Sequence, residues 1–148
     1  IIRPAAPTPI LIGGIVEAAI CRAGELGDGW IMGPFGSPED FQKGWQIAAD
    51  GARAAGKNPD DLTAGRLLYV AVDDDRAKAR ADLTRFLHGY YGPGFDVEKH
   101  GIFGPPGEVT ARLREQVDAG ITHLMLGVPN LDRLHLRRLA EEVAPALR

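Results

Sequence analysis

The sequence has a single cysteine, Cys21, in 148 residues. That excludes an internal disulfide and fits a reducing cytosol, so a cytoplasmic protein is expected. Lysine is scarce, at four residues against thirteen arginines. The chain opens on Ile1 rather than methionine, and we therefore expect it to begin part-way into a longer protein. No apolar run approaches the ~20 residues of a membrane span, and no signal peptide pattern opens the chain. Positive charge is not in excess either. Seventeen Lys and Arg against twenty Asp and Glu leave a net charge of -3, which calls for neither nucleic acid nor an anionic membrane as partner. Hydrophobic residues at 45% and charged residues at 25% are ordinary globular usage. A chain of this length forms one domain and buries roughly 70% of its unfolded surface.

Hydrophobic period divides the chain into alternating elements. Pro9 to Gly13 is a short continuous apolar run fitting a strand buried on both faces, and Gly29 to Met32, Leu67 to Val72 and Ile121 to Leu126 read as three further strands. Between them the apolar residues fall at helical spacing: Val16, Ile20, Ala23 and Leu26, then Phe41, Trp45, Ala48, Ala52 and Ala55. Ala79, Leu83, Phe86, Leu87 and Tyr90 form a third face, and Val109, Leu113 and Val117 a fourth. Leu136, Leu139, Ala140, Val143 and Leu147 give a last helix. Ser37-Pro38-Glu39-Asp40 reads as a helix start, with a capping hydroxyl, a proline at the first position and acids at the positive end of the dipole. Asp73-Asp74-Asp75 places acid at another helix start; three consecutive acids cannot all face one ion, and capping explains them. Strands alternating with helices predict a parallel α/β sheet, either a small open sheet or half of an eight-stranded barrel.

Gly13-Gly14 follows the first strand and opens a helix, at the carboxyl end where parallel α/β folds collect ligands. Glycines there let an anion approach the backbone, and the N–H groups of Gly14, Ile15 and Val16 are expected to point at it with help from the helix dipole. The competing reading is a tight turn and nothing more. The segment is neither a full dinucleotide fingerprint nor a Walker loop, so nucleotide classes built on those motifs lose support.

Thr8-Pro9-Ile10-Leu11-Ile12-Gly13-Gly14, Glu17-Ala18-Ala19 and Leu26-Gly27-Asp28-Gly29-Trp30-Ile31 resemble the bacterial luciferase-like monooxygenase family, which includes many oxidoreductases using the deazaflavin coenzyme F(420). The likeness continues through Pro38-Glu39-Asp40-Phe41, Tyr69-Val70-Ala71-Val72-Asp73-Asp74-Asp75-Arg76, Gly104-Pro105-Pro106-Gly107-Glu108-Val109 and Asp118-Ala119-Gly120-Ile121-Thr122-His123-Leu124. The resemblance implies a (β/α)8 TIM barrel, of which this chain is the C-terminal half, strands five to eight. It implies a flavin- or deazaflavin-dependent oxidoreductase or monooxygenase acting on a small-molecule substrate, with Gly13 and Gly14 at the cofactor phosphate. A hydroxyl residue often follows the pair two places later in the family, and here that position is Val16, which has no donor. The family's N-terminal half supplies much of the ring cradle and the usual catalytic acid or base, so no catalytic residue is assigned within this chain. In members that oxidise sugar phosphates, a hydroxyl and a lysine follow the second strand; here Gly33-Pro34-Phe35-Gly36 stand there, which argues against that substrate. The arginine-rich, lysine-poor bias of a GC-rich genome favours coenzyme F(420) over FMN.

The remaining chemical side chains read as structural. His123 reads as a packed or hydrogen-bonded strand residue, and His88 and His135 as surface or packing residues. His100 lies in the one long loop, between Gly94 and Gly104, where active-site lids occur. Cys21 reads as inert and Asp28 as a turn former. Trp30, Trp45, Tyr90 and Tyr91 are expected in the core or barrel wall. No metal site is expected. A half-barrel leaves sheet edges open, so a homo-oligomer or association through those edges is expected. Two alternatives stay open: a non-catalytic, self-associating half-barrel and an unrelated phosphate-binding α/β module.

Overall fold

The computed structural model describes residues 6–129 and 133–148. Five strands form one sheet in which each pairing is parallel: β1 (Leu11–Gly13), β2 (Gly29–Met32), β3 (Thr63–Val72), β4 (Gly101–Gly104) and β5 (His123–Gly127). β3 is the spine. Its Gly65 pairs at once with Ile31 of β2 and His123 of β5, so those two strands flank it on opposite edges. Its Tyr69 pairs with both Gly101 of β4 and Gly127 of β5, which puts β4 on the β2 side. β2 and β4 therefore lie end to end along one edge of β3. β2 takes Thr63 to Arg66, β4 takes Tyr69 to Val72, and Leu67 and Leu68 fall in the gap between them.

The four expected strands run side by side in sequence order, β1, β2, β3 and β5, as the alternation of apolar runs and helices requires. β4 is the addition. It and the short helix α4 (Val97–His100) occupy what the sequence presents as a loop. Ile102 and Phe103 are two apolar residues between glycines, too short a run to show a period, and the sheet supplies the rest by pairing with an edge of β3 that β2 has left.

Helices α1 (Glu17–Leu26), α2 (Pro38–Ala54) and α5 (Pro106–Asp118) cover one face of the sheet, packed on Trp30, Met32, Ala64, Leu68, Val70 and Val72. Helix α3 (Arg76–Tyr91) covers the other face near the end of β3, against Tyr69, Ala71 and Phe103. Each fully buried large side chain, such as Phe41, Leu83 or Leu113, contributes about 1.5–3 kcal/mol. The helix starts follow the sequence. Ser37 and Asp40 form a reciprocal capping box with Pro38 at the first position of α2. Asp75 caps α3 by accepting from the Ala77 and Lys78 N–H groups. Asp28 does more than turn the chain, for its carboxylate accepts from Ile10 N–H at 2.7 Å and clamps the entry to β1.

α1 and α2 cross with their backbones in contact. A Cβ on Gly24 would stand 1.8 Å from the Ala48 carbonyl oxygen, and one on Gly51 2.4 Å from that of Cys21. The expected apolar face of α1 is only half realised: Ile20 and Ala23 are buried with Phe41 and Ala48 of α2, while Val16, which precedes the helix, is 62% and Leu26 69% exposed. Ala55, expected on the apolar face of α2, is its exposed C-cap. The last expected helix is three short pieces, α6 (Arg133–Arg138), a π-helical turn (Leu139–Val143) and a 3-10 turn (Ala144–Leu147) that accommodates Pro145. Tyr90, expected in the core, is 70% exposed at the end of α3, and Tyr91 is also exposed.

Candidate functional site

Two features stand near the carboxyl ends of β1 and β2: the glycine turn after β1, and an aromatic wall that starts at Phe35 after β2 and packs on Tyr69 of β3. In the turn, Gly13 is the last residue of β1 and is exposed. Gly14 is half-buried, and its carbonyl accepts from the Trp30 indole Nε1 at 2.9 Å. Ile15 and Val16 are exposed. Helix α1 begins later than expected. Val16 is its N-cap, in extended conformation and with no side-chain cap, so Gly14, Ile15 and Val16 form the approach to the helix rather than its first turn. The Ala19 N–H bonds back to the Val16 carbonyl at 2.9 Å. The first two helical N–H groups, those of Glu17 and Ala18, are left without an intrahelical acceptor.

The two glycines serve different ends. A Cβ on Gly14 would lie 2.6 Å from the Ala19 Cβ, so this glycine is demanded by the fold of the turn against α1. A Cβ on Gly13 would meet nothing closer than the Ile31 carbonyl oxygen at 3.7 Å, an ordinary contact. The backbone of the turn therefore fits a phosphate, with open N–H groups and no side chain over them. The side chains add no donor, and Glu17 in the first turn of α1 adds a negative charge.

The aromatic wall centres on Phe35, in the segment after β2. Its ring stands edge-on to His100 at 5.0 Å and to Tyr91 at 6.1 Å, and tilted against Phe95 at 5.7 Å. Tyr91 stacks on Phe95 at 4.8 Å and shares a 2.8 Å hydroxyl hydrogen bond with Tyr69. Burial, and then that bond, push the Tyr69 phenol well above its ordinary pKa. Burial pulls His100 below its ordinary value, and the neighbouring Lys99 charge adds to this. The expected loop histidine at the rim of the wall thus gives up its proton more readily than a free imidazole.

The other residues singled out from the sequence are scattered. His123 opens β5 rather than lying mid-strand, and its Nδ1 is 3.1 Å from the Thr122 hydroxyl. His135 is buried and its Nε2 accepts from the Val72 N–H at 3.0 Å, closing the end of β3. His88 Nε2 bonds the Phe95 carbonyl at 3.1 Å. Cys21 is half-buried in the α1–α2 seam. Among the described residues no group of three or more metal-ligating side chains is brought together. No helix of the described residues is long and apolar enough to cross a membrane.

Arg66 passes unnoticed in the sequence. It sits on β3 facing α5, only 2% exposed, and donates to Gln116 Oε1 at 2.6 Å and to the Gly36 carbonyl. The signal was present: a lone arginine inside an apolar strand run, where the alternation puts it on the helix-covered face.

A family model described as luciferase-like monooxygenase matches residues 1–100. The F(420)-dependent hydroxymycolic acid dehydrogenase of Mycobacterium tuberculosis is 39% identical over 89 residues, covering 58% of this chain and 24% of that protein. The F(420)-dependent glucose-6-phosphate dehydrogenase of Nakamurella multipartita is 28% identical, covering 99% of this chain and 50% of its own length. Among solved structures, an F(420)-dependent secondary alcohol dehydrogenase bound to an F(420)-acetone adduct superposes with a TM-score of 0.86 at 21% identity, over 99% of this chain and 51% of that one. The coenzyme F(420)-dependent tetrahydromethanopterin reductase of Methanopyrus kandleri gives 0.77 at 18% identity, over 95% and 51%. The chain thus spans at most about half the length of these relatives, and of the two architectures the strand order allowed, its sheet is the half-barrel that the family resemblance implied. By sequence and by fold, it belongs to the luciferase-like monooxygenase family.

Proposed function

We propose that this chain forms part of a flavin- or deazaflavin-dependent oxidoreductase, and that its Gly13–Gly14 turn holds the phosphate end of the cofactor. The observation that carries the reading is the turn: open N–H groups from Gly14 to Ala18 at the carboxyl end of β1, in a chain of the luciferase-like family. Two of its relatives are named as F(420)-dependent dehydrogenases, which favours coenzyme F(420) over FMN. The bound ring supplies the hydride- or oxygen-transferring chemistry, and the protein positions it and excludes water. The exposed rings of Phe35 and Tyr91, backed by the buried Phe95, offer an apolar surface past the end of β2, which suits an organic substrate with an aromatic or aliphatic body. Although a relative is named for glucose-6-phosphate, the Gly33–Gly36 segment puts Phe35 in this wall and brings no cation of its own, so we do not extend that substrate to this chain.

The test is a titration of this chain with FMN and with coenzyme F(420), followed by fluorescence. Gly13→Ala leaves the fold intact because its Cβ finds room, so a weakened cofactor complex in that variant places the phosphate against the turn. Val16→Ser restores the missing hydroxyl and should tighten binding. Unchanged affinity in both variants would reduce the glycine pair to a turn.

We also propose that copies of the chain associate through the sheet. β1 pairs only with β2 and β5 only with β3, so each presents a free edge among the described strands. The face carrying Met125 and His123 is exposed. Light scattering across a dilution series decides it: a well-folded monomer at all concentrations would mean that the chain closes its own core.

A further inference from the structure

We propose that the break between β2 and β4 holds a second anion site, built on Arg66, that binds a small oxoanion such as phosphate or a carboxylate. β2 leaves the β3 edge at Arg66 and β4 joins it at Tyr69. A cavity of about 290 Å³ opens beside this gap, lined by Arg66, Lys99, His100 and Arg112 with Asp40 and Glu115. Arg66 lies on the face of the sheet covered by α2 and α5, whereas Tyr69, on the opposite face, packs on the aromatic wall. The site is thus distinct from the glycine turn and needs no cofactor.

The chemistry of Arg66 asks for an anion. A guanidinium stays charged in any protein environment and offers five N–H donors. Here it is 2% exposed, and its two acceptors, the Gln116 amide and the Gly36 carbonyl, carry no formal charge. Its Nε has no hydrogen-bond partner. The acid that acts on it is Asp40, whose carboxylate is already held by the Ser37 N–H in the α2 capping box. Burying a cation against neutral acceptors is unfavourable, and an oxoanion in the cavity reverses that by pairing with it. The rim agrees. Arg112 and Glu115 pair with each other at 3.5 Å, which leaves Lys99 as the second cation for the ligand. Gln116 and Gly36 hold the guanidinium plane in place from α5 and from the segment after β2, so the site is preorganised.

The experiment is a melting and calorimetric titration of the chain with inorganic phosphate and, separately, with acetate, against chloride at equal ionic strength. The expected result is a saturable rise in melting temperature with phosphate, acetate or both, and whichever acts names the source of the oxoanion. Arg66→Met, which keeps the stem and removes the charge, should lose about tenfold or more in affinity. Lys99→Gln, at the exposed rim, should weaken binding several-fold while leaving the fold unchanged, and it serves if Arg66→Met does not fold. Gly89→Ala, on α3 with open space around its new Cβ, should bind as the parent does. No saturable effect in the parent, or equal binding in the Arg66→Met and Lys99→Gln chains, would overturn the proposal. Loss in Gly13→Ala, with Arg66→Met and Lys99→Gln binding as the parent does, would place the anion at the glycine turn, supporting the cofactor reading and sinking this one.

Discussion

The Trp30 indole donates to the Gly14 carbonyl at 2.9 Å, and through that bond the core of the α/β layer sets the shape of the ligand-facing turn. Trp30 is 1% exposed, stacked on Phe41 at 5.3 Å, and cannot move without disturbing α2. The turn after β1 is therefore fixed from β2, its neighbour in the ladder. Trp30→Phe keeps an aromatic ring but removes the donor and leaves a half-buried carbonyl unpaired. A loss of about 1–3 kcal/mol is expected in a urea melt, with faster amide exchange at Gly14 to Val16. Unchanged exchange there would mean that the indole does not hold the turn.

Two helix glycines should respond in opposite ways to the same change. Gly24→Ala pushes a methyl into the Ala48 carbonyl across the α1–α2 seam and should cost about 1–3 kcal/mol or more. Gly89→Ala, in α3 with nothing within 4 Å of the new Cβ, should stabilise by about 0.5–1 kcal/mol. Chemical denaturation of both variants checks the seam against simple helix propensity. Equal effects would refute the backbone contact.

Acidification should act through His100 before it acts through any carboxylate. Burial and Lys99 set its folded pKa below the usual 6.5, so below that value the unfolded chain takes up a proton that the folded chain resists. The stability contributed is present above pH 6.5 and is lost as pH falls through the folded pKa. Asp40 and Asp73, both held below the usual carboxylate pKa by hydrogen bonds, lose theirs only below about pH 4. Melting curves from pH 7.5 to 5 should show a decline that His100→Asn flattens. An identical decline in the variant would assign it elsewhere.

Glu17 stands in the first turn of α1, where its charge opposes a phosphate at the glycine turn. Glu17→Gln should tighten the cofactor complex about two- to fivefold at low salt, and the gain should fade as salt screens it. A titration in which the variant binds no better at low salt would move the phosphate away from this helix end.

Periodicity and chemistry local to a few residues were enough for much of this protein. Apolar runs bounded by glycine marked β1, β2, β3 and β5, and Ser37-Pro38-Glu39-Asp40 and Asp75 marked helix starts that the structure builds as capping motifs. Motif order gave the family and the glycine turn, because strand–turn–helix signatures are continuous in sequence. Contacts between distant segments decided the rest. Gly24 and Gly51 look like helix weaknesses until α1 meets α2. Gly101 to Gly104 looks like loop until β3 offers an edge. Gly14 reads as a glycine placed for a ligand, and only the packing of Ala19 back on it shows that the fold demands a glycine there as well. Arg66 shows the limit most plainly: its residue type and strand position were in the sequence, but its neutral partners Gly36 and Gln116, 30 and 50 residues away, meet it only when α2 and α5 close over the sheet. Hydrogen-bond geometry and dielectric surroundings are properties of that closure, and they decide whether an arginine is a surface charge or a buried cation in need of a partner.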